Sequence, residues 1–200
     1  MSRPRNLTGL ILAGGKSRRF GEDKARHLVA GRAMIEHVVE AVAAVADALL
    51  VSVGEQGAAF ESATRTLRQV VDRYEDAGPL AGLHAGLTAA QTPWVLAVAC
   101  DMPFITPEVL HALLAARGPD VAAVVARTPD GRCHPLCACY HQRTLPVVEA
   151  HLAAGTLAMH ALLDHLDKVK YVDLPAGPLR NVNHLSDLAE WGNTLQKDSC

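Results

Sequence analysis

One stretch limits what this chain can be more than any other: an apolar segment of strand length, Leu7 to Leu12, runs directly into a loop rich in glycine and cations. From Gly14 to Lys24 the loop holds Gly14, Gly15 and Gly21 together with Lys16, Arg18, Arg19 and Lys24. Glycines let successive backbone N–H groups approach an anion closely, and the cations neutralise charge on phosphate oxygens. A strand end built this way suits a polyphosphate ligand. The plain alternative is a solvated loop between a strand and a helix.

Two familiar phosphate loops can be tested against this register. Gly15-Lys16-Ser17 matches the end of a P-loop, but the opening glycine would fall at position 10, which is Leu10, with Gly9 one residue early. The strand Trp94 to Ala99 followed by Asp101 imitates the magnesium-binding strand of such ATPases, so that reading stays open as an alternative. The dinucleotide pattern Gly-x-Gly-x-x-Gly is absent at this strand end, which argues against hydride transfer.

Beyond the loop, short apolar runs alternate with amphipathic or Ala-rich segments, the pattern of strands and helices around a largely parallel sheet. Strands are expected at 7–12, 48–53, 69–71, 94–99, 121–126, 135–140 and 168–173. Helices are expected at 33–46, 58–67, 80–90, 145–153, 157–166 and 186–191, with another opening at Thr106-Pro107, Thr106 capping it and Pro107 in its first position. Pro129-Asp130-Gly131 predicts a turn that pairs its flanking strands antiparallel.

Composition narrows the partners. With 19 basic and 21 acidic residues in 200, there is no general basic footprint for nucleic acid. No apolar run approaches the roughly 20 residues that span a bilayer. Five scattered cysteines do not suit a disulfide framework, which points to a reducing, cytoplasmic setting. With no linker or repeat, residues 1–200 read as one domain.

The loop, as Leu12-Ala13-Gly14-Gly15-Lys16-Ser17-Arg18-Arg19-Phe20-Gly21-Glu22-Asp23-Lys24, resembles the opening signature of the molybdenum cofactor guanylyltransferases. Gly78-Pro79-Leu80-Ala81-Gly82, Asp101-Met102-Pro103-Phe104, His134-Pro135-Leu136 and Asn181-Val182-Asn183 extend the resemblance in order along nearly the whole chain. The related cytidylyltransferases tend to read Ala-Ala-Gly where this chain has Ala13-Gly14-Gly15. The turn Val53-Gly54-Glu55-Gln56 departs from the family, which often places an Asn there.

The resemblance implies an α/β, three-layer Rossmann-like fold of the nucleotide-diphospho-sugar transferase type, with a mostly parallel sheet. It implies transfer of GMP from GTP to the molybdopterin cofactor with Mg²⁺, the N-terminal part binding GTP and the C-terminal part facing the pterin. Other cofactor-biosynthesis proteins or acceptor molybdoenzymes are implied partners. Arg19, Lys24 and Asp101 would be catalytic, with Asp101 the metal ligand and Lys16 a candidate third cation. Leu12, Ala13, Gly14, Gly15, Lys24, Asp72, Gly78 and Asp101 would hold GTP, and Arg132, His134, Asn181 and Asn183 the pterin.

Each role has a bland alternative: a cap or turn for Asp101, pairing with Arg73 for Asp72, a structural histidine for His134. A different nucleotidyltransferase and a non-catalytic nucleotide- or pterin-binding module also stay open. Cys133, His134, Cys137 and Cys139 carry zinc-type ligands, but on one extended strand cysteines two and four apart form a straight row on one face, not a tetrahedron. They read as buried small apolar residues. His160, Asp164 and His165 read as the polar face of a helix.

Overall fold

The computed structural model describes residues 6–13, 27–54, 62, 66–74, 76–183 and 187. In chain order the elements are β1 (Leu7–Leu12), β2 (Leu28–Val29), β3 (Arg32–Ala33), α1 (Met34–Ala43), β4 (Ala48–Val53) and β5 (Arg68–Val71). They continue as α2 (Pro79–Ala89), β6 (Trp94–Ala99), α3 (Pro107–Ala115), β7 (Ala123–Arg127), β8 (Cys133–His141), a 3₁₀ turn (Gln142–Thr144), α4 (Leu145–Ala153), α5 (Met159–Asp164) and β9 (Val169–Asp173). Among the described residues no helix is long and apolar enough to cross a membrane.

Seven strands form a sheet in the order β5-β4-β1-β6-β8-β7-β9. Of these, β8 runs antiparallel to both its neighbours, β6 and β7, while the other pairings are parallel. The α/β, mostly parallel expectation is met. The centre of the sheet is buried on both faces, and β1 and β6 show no exposed position. Leu7 and Ile11 pack with α1 and α3 on one side, and Leu10 and Leu12 pack with α2, α4 and α5 on the other, which makes three layers.

Glycine sets how closely the helices approach. A Cβ on Gly9 of β1 would lie 2.2 Å from Val42 Cγ1 of α1, and one on Gly86 of α2 would lie 2.3 Å from Leu10 Cδ2. Helix α2 starts at Gly78, whose φ of 60° and ψ of −146° fall in a region that side chains avoid. Thr106 caps α3 as expected, its side chain accepting from the Val109 N–H.

Three local expectations are corrected. The segment before α1 forms a hairpin of β2 and β3, whose turn residues Ala30 and Gly31 both have positive φ. Of the helix expected at 58–67, the described positions Ser62, Thr66 and Leu67 are not helical, and the rest lie outside the described residues. The helix expected at 186–191 lies outside them too, apart from the helical Asp187.

The third correction concerns the face of Cys133. The β7–β8 ladder jumps from Val125↔Ala138 to Ala126↔His134, so one step on β7 spans four on β8. That bulge reverses the alternation: Cys137 and Cys139 are buried with the α1/α3 layer, whereas Cys133 packs towards the α2/α4/α5 layer. Burial pushes the Cys137 and Cys139 thiols up to about 12, so both stay protonated and inert. Tyr140, fully buried, closes the bulge by donating its hydroxyl hydrogen to the Pro135 carbonyl at 2.8 Å.

Candidate active site at the carboxyl edge of the sheet

Because the chain leaves β1 for β4 on one side and returns to β6 on the other, the strand order reverses between β1 and β6. In open α/β sheets ligands bind in the crevice outside the strand ends at such a point. Ala13 follows β1 and is tied across by its N–H to the Ser52 carbonyl at 3.0 Å; Cys100 follows β6, its N–H donating to the Leu12 carbonyl at 3.1 Å. Asp101 comes next. Leu12, Ala13 and Asp101 thus share one short edge.

The other nucleotide-side candidates reach the same edge. Asp72 follows β5, and its N–H donates to the Val53 carbonyl at 3.3 Å. Gly78 opens α2, and Gly82 one turn later lies where a Cβ would come within 2.8 Å of both Leu12 Cδ2 and Ser52 Oγ. Gly14, Gly15, Lys16, Arg18, Arg19 and Lys24 lie outside the described residues.

Asp101 is held by a distant part of the chain. After β9, the segment 174–183 runs back to the end of β6, burying Leu174, Leu179 and Val182. There the Val182 N–H donates to the Asp101 carbonyl at 2.8 Å, and Asn181 Nδ2 donates to Asp101 Oδ1 at 2.7 Å. Asn181, expected only as a pterin ligand, is therefore also a clamp on the Asp101 carboxylate. Asn183 is exposed beyond the buried Val182, its N–H donating to Asp187 Oδ2 at 2.7 Å.

Beside Asp101 lies an open cleft of about 580 Å³, lined among others by Met102, Arg132, His134, Met159, His160 and Asn181. Since β8 is antiparallel to β6, the beginning of β8 meets the end of β6, which brings Arg132 and His134 to this edge. Arg132 is presented by a tight hairpin. The Thr128 N–H donates to the Arg132 carbonyl at 2.9 Å, and the Asp130 carboxylate accepts from the Thr128 hydroxyl and from the Arg132 N–H. Those bonds hold Asp130 below the usual carboxylate range, the Thr128 hydroxyl contributing most.

His134 sits at the bulge, 8% exposed, and its Nε2 is buried without a hydrogen-bond partner among the described residues. Burial lowers its pKa from the ordinary 6.5, and the positive charges of Arg132 and His160 lower it further against the pull of Asp130. A depressed folded-state pKa means the unfolded chain takes up the proton first, so stability should fall as pH drops below 6.5 towards the folded value. Urea midpoints at pH 7.5 and 5.5 should therefore drop less in His134→Gln than in the wild type. An equal drop in both proteins would remove His134 from the acid response.

Sequence reading missed two contributors here. His160 was expected on the polar face of a helix and is exposed on one, but its place in the lining of the cleft was not foreseen. The link from Asn181 to Asp101 spans 80 residues, and no local pattern reports such a contact.

A mostly parallel sheet with a carboxylate at its switch point and a cleft carrying Arg132 alongside has the form of a nucleotide-handling α/β enzyme. The chain belongs to the family of the MobA-like NTP transferase domain, whose family model matches residues 9–169. A molybdenum cofactor guanylyltransferase of Desulfosudis oleivorans is 35% identical to it over 161 residues, covering 80% of this chain and 78% of that protein. Another, from Vibrio cholerae, is 30% identical over 192 residues, covering 94% and 93%. The fold is similar to that of molybdopterin-guanine dinucleotide biosynthesis protein A from Archaeoglobus fulgidus, with a TM-score of 0.70, 24% identity and coverage of 95% and 99%.

Proposed function

We propose that this protein transfers GMP from GTP to molybdopterin, releasing pyrophosphate and joining guanosine monophosphate to the pterin through a new pyrophosphate bridge. The observation that carries the reading is the clamped Asp101 at the β1/β6 switch point, with the cleft of Arg132, His134 and Asn181 against it. Relatives named for the same transfer support it.

In this reading a phosphate oxygen of the pterin attacks the α-phosphorus of GTP, and the bond from that phosphorus to the oxygen bridging to the β-phosphate breaks. No protein nucleophile is needed; positioning and charge neutralisation carry the catalysis. Leu12, Ala13, Gly14 and Gly15 line the nucleotide, with Asp72 and Gly78 on its guanosine side. Arg19 and Lys24 neutralise the triphosphate and the departing pyrophosphate. Asp101 suits Mg²⁺, which takes one or two carboxylates and fills its remaining positions with phosphate oxygens and water. When bound, the ion withdraws charge from the phosphate oxygens. Asn181 fixes the Asp101 carboxylate by its hydrogen bond to Oδ1.

The test is pyrophosphate release by purified protein with Mg²⁺ and each of the four nucleoside triphosphates, with and without molybdopterin. Release that needs both GTP and pterin is expected. Release with CTP alone among the triphosphates would assign a cytidylyl enzyme, hydrolysis without pterin would assign an NTPase, and no release would leave a binding module.

A further inference from the structure

We propose that His160 binds the phosphate of the acceptor substrate, acting beside Arg132 as a second hydrogen-bond donor at the mouth of the cleft. The assignment rests on the reading that this cleft receives the pterin phosphate.

Charge is the first argument. Among the described residues, the titratable side chains that line the cleft are Arg132, Cys133, His134 and His160, and none of them is a carboxylate. His134 feels Arg132, the Asp130 carboxylate that holds the Arg132 N–H, and His160, so Arg132 and His160 face the same imidazole. A phosphate seated at this opening would meet the Arg132 guanidinium and a ring nitrogen of His160, both able to donate to its oxygens.

The second argument is the orphan nitrogen of His134. A buried polar atom without a partner is costly, and such a cost beside a cleft is relieved when a ligand supplies the missing bond. His134 is 92% buried, being 8% exposed, and its Nε2 has no partner among the described residues. The third is how α5 is anchored. Met159, Leu162 and Leu163 are buried against the sheet, which leaves His160 exposed on the cleft side of α5. Burying Met159 places its flexible thioether in the cleft lining with that of Met102, an adaptable apolar wall suited to a planar ring.

The experiment is direct binding of 6-hydroxymethylpterin phosphate, and of unphosphorylated 6-hydroxymethylpterin, to the full chain without nucleotide. The wild type is compared with His160→Gln and His160→Arg. For the phosphorylated ligand, His160→Gln should weaken binding about tenfold, in keeping with loss of one charge-assisted hydrogen bond, and His160→Arg should restore it to within about threefold. For the unphosphorylated pterin the three proteins should bind alike, a pattern that a merely structural role for His160 would not produce.

Equal affinity of the wild type and His160→Gln for the phosphorylated pterin overturns the proposal, as does equal weakening for both ligands or no binding of the phosphate to the wild type. Binding that depends on His160 in a protein that releases no pyrophosphate would keep this assignment and discard the transferase reading.

Discussion

Asp101→Asn is expected to lower the rate of pyrophosphate release from GTP and molybdopterin by about a thousandfold, the scale seen when one preorganised charge-stabilising group is removed. The fold should survive. Asparagine retains an Oδ1 that can accept the Asn181 Nδ2–H bond of 2.7 Å, and the backbone bond from the Val182 N–H to the Asp101 carbonyl does not involve the side chain. What disappears is the negative charge at the switch point, and with it, in the proposed reading, the affinity for a divalent ion. Two measurements separate the effects: the thermal midpoint of the variant should match the wild type, and Mn²⁺ binding in the presence of GTP should be lost. Turnover within tenfold of the wild type would remove Asp101 from the chemistry and return it to the role of a turn residue.

The largest stability effect is expected at Gly9. Its missing side chain is what lets α1 lie on β1, since a Cβ there would meet Val42 Cγ1 at 2.2 Å, Leu49 Cδ2 at 3.1 Å and Ala46 Cβ at 3.2 Å. Val42 is fully buried and β-branched, so it has little rotamer freedom with which to withdraw. Gly9→Ala should cost about 3 kcal/mol, at the upper end of overpacking penalties, which for a chain of this size lowers the melting temperature by roughly 6–12 °C. The double variant Gly9→Ala/Val42→Ala should be more stable than Gly9→Ala alone, because shortening Val42 removes the atom that clashes. Failure of that rescue in a thermal melt would mean that the spacing of α1 is set elsewhere.

How much of this could be read beforehand depended on the range of the forces involved. The strands 7–12, 48–53 and 94–99 and the helix 145–153 were legible to the residue, because burial on both sides of a sheet writes itself as uninterrupted apolar runs. Thr106 and Pro107 marked the start of α3 because capping is a bond between near neighbours. The β2–β3 hairpin was missed, since its two-residue strands are too short for a periodicity and its turn uses Ala30, which does not advertise positive φ. Cys133 was placed on the wrong face because strict alternation was assumed through Pro135 to Cys137. The bulge there depends on pairing with β7 and on the Tyr140 hydroxyl.

The site divides in the same way. Asp101 could be located from sequence because a carboxylate just past an apolar strand already lies at the edge where such sheets bind ligands. Asn181 and His134 could be named but not placed, and His160 was read only as part of a helix's polar face. The amino-acid sequence by itself determined the element types, the central strands and the loop chemistry after β1, since these follow from hydrophobic periodicity and local bonds. Tertiary structure alone decided that residues 174–183 return to lock Asp101, that a bulge turns His134 inward, and that α5 brings His160 to the same cleft. Each of those depends on groups far apart in the chain meeting in a packed sheet, a contact that no local pattern encodes.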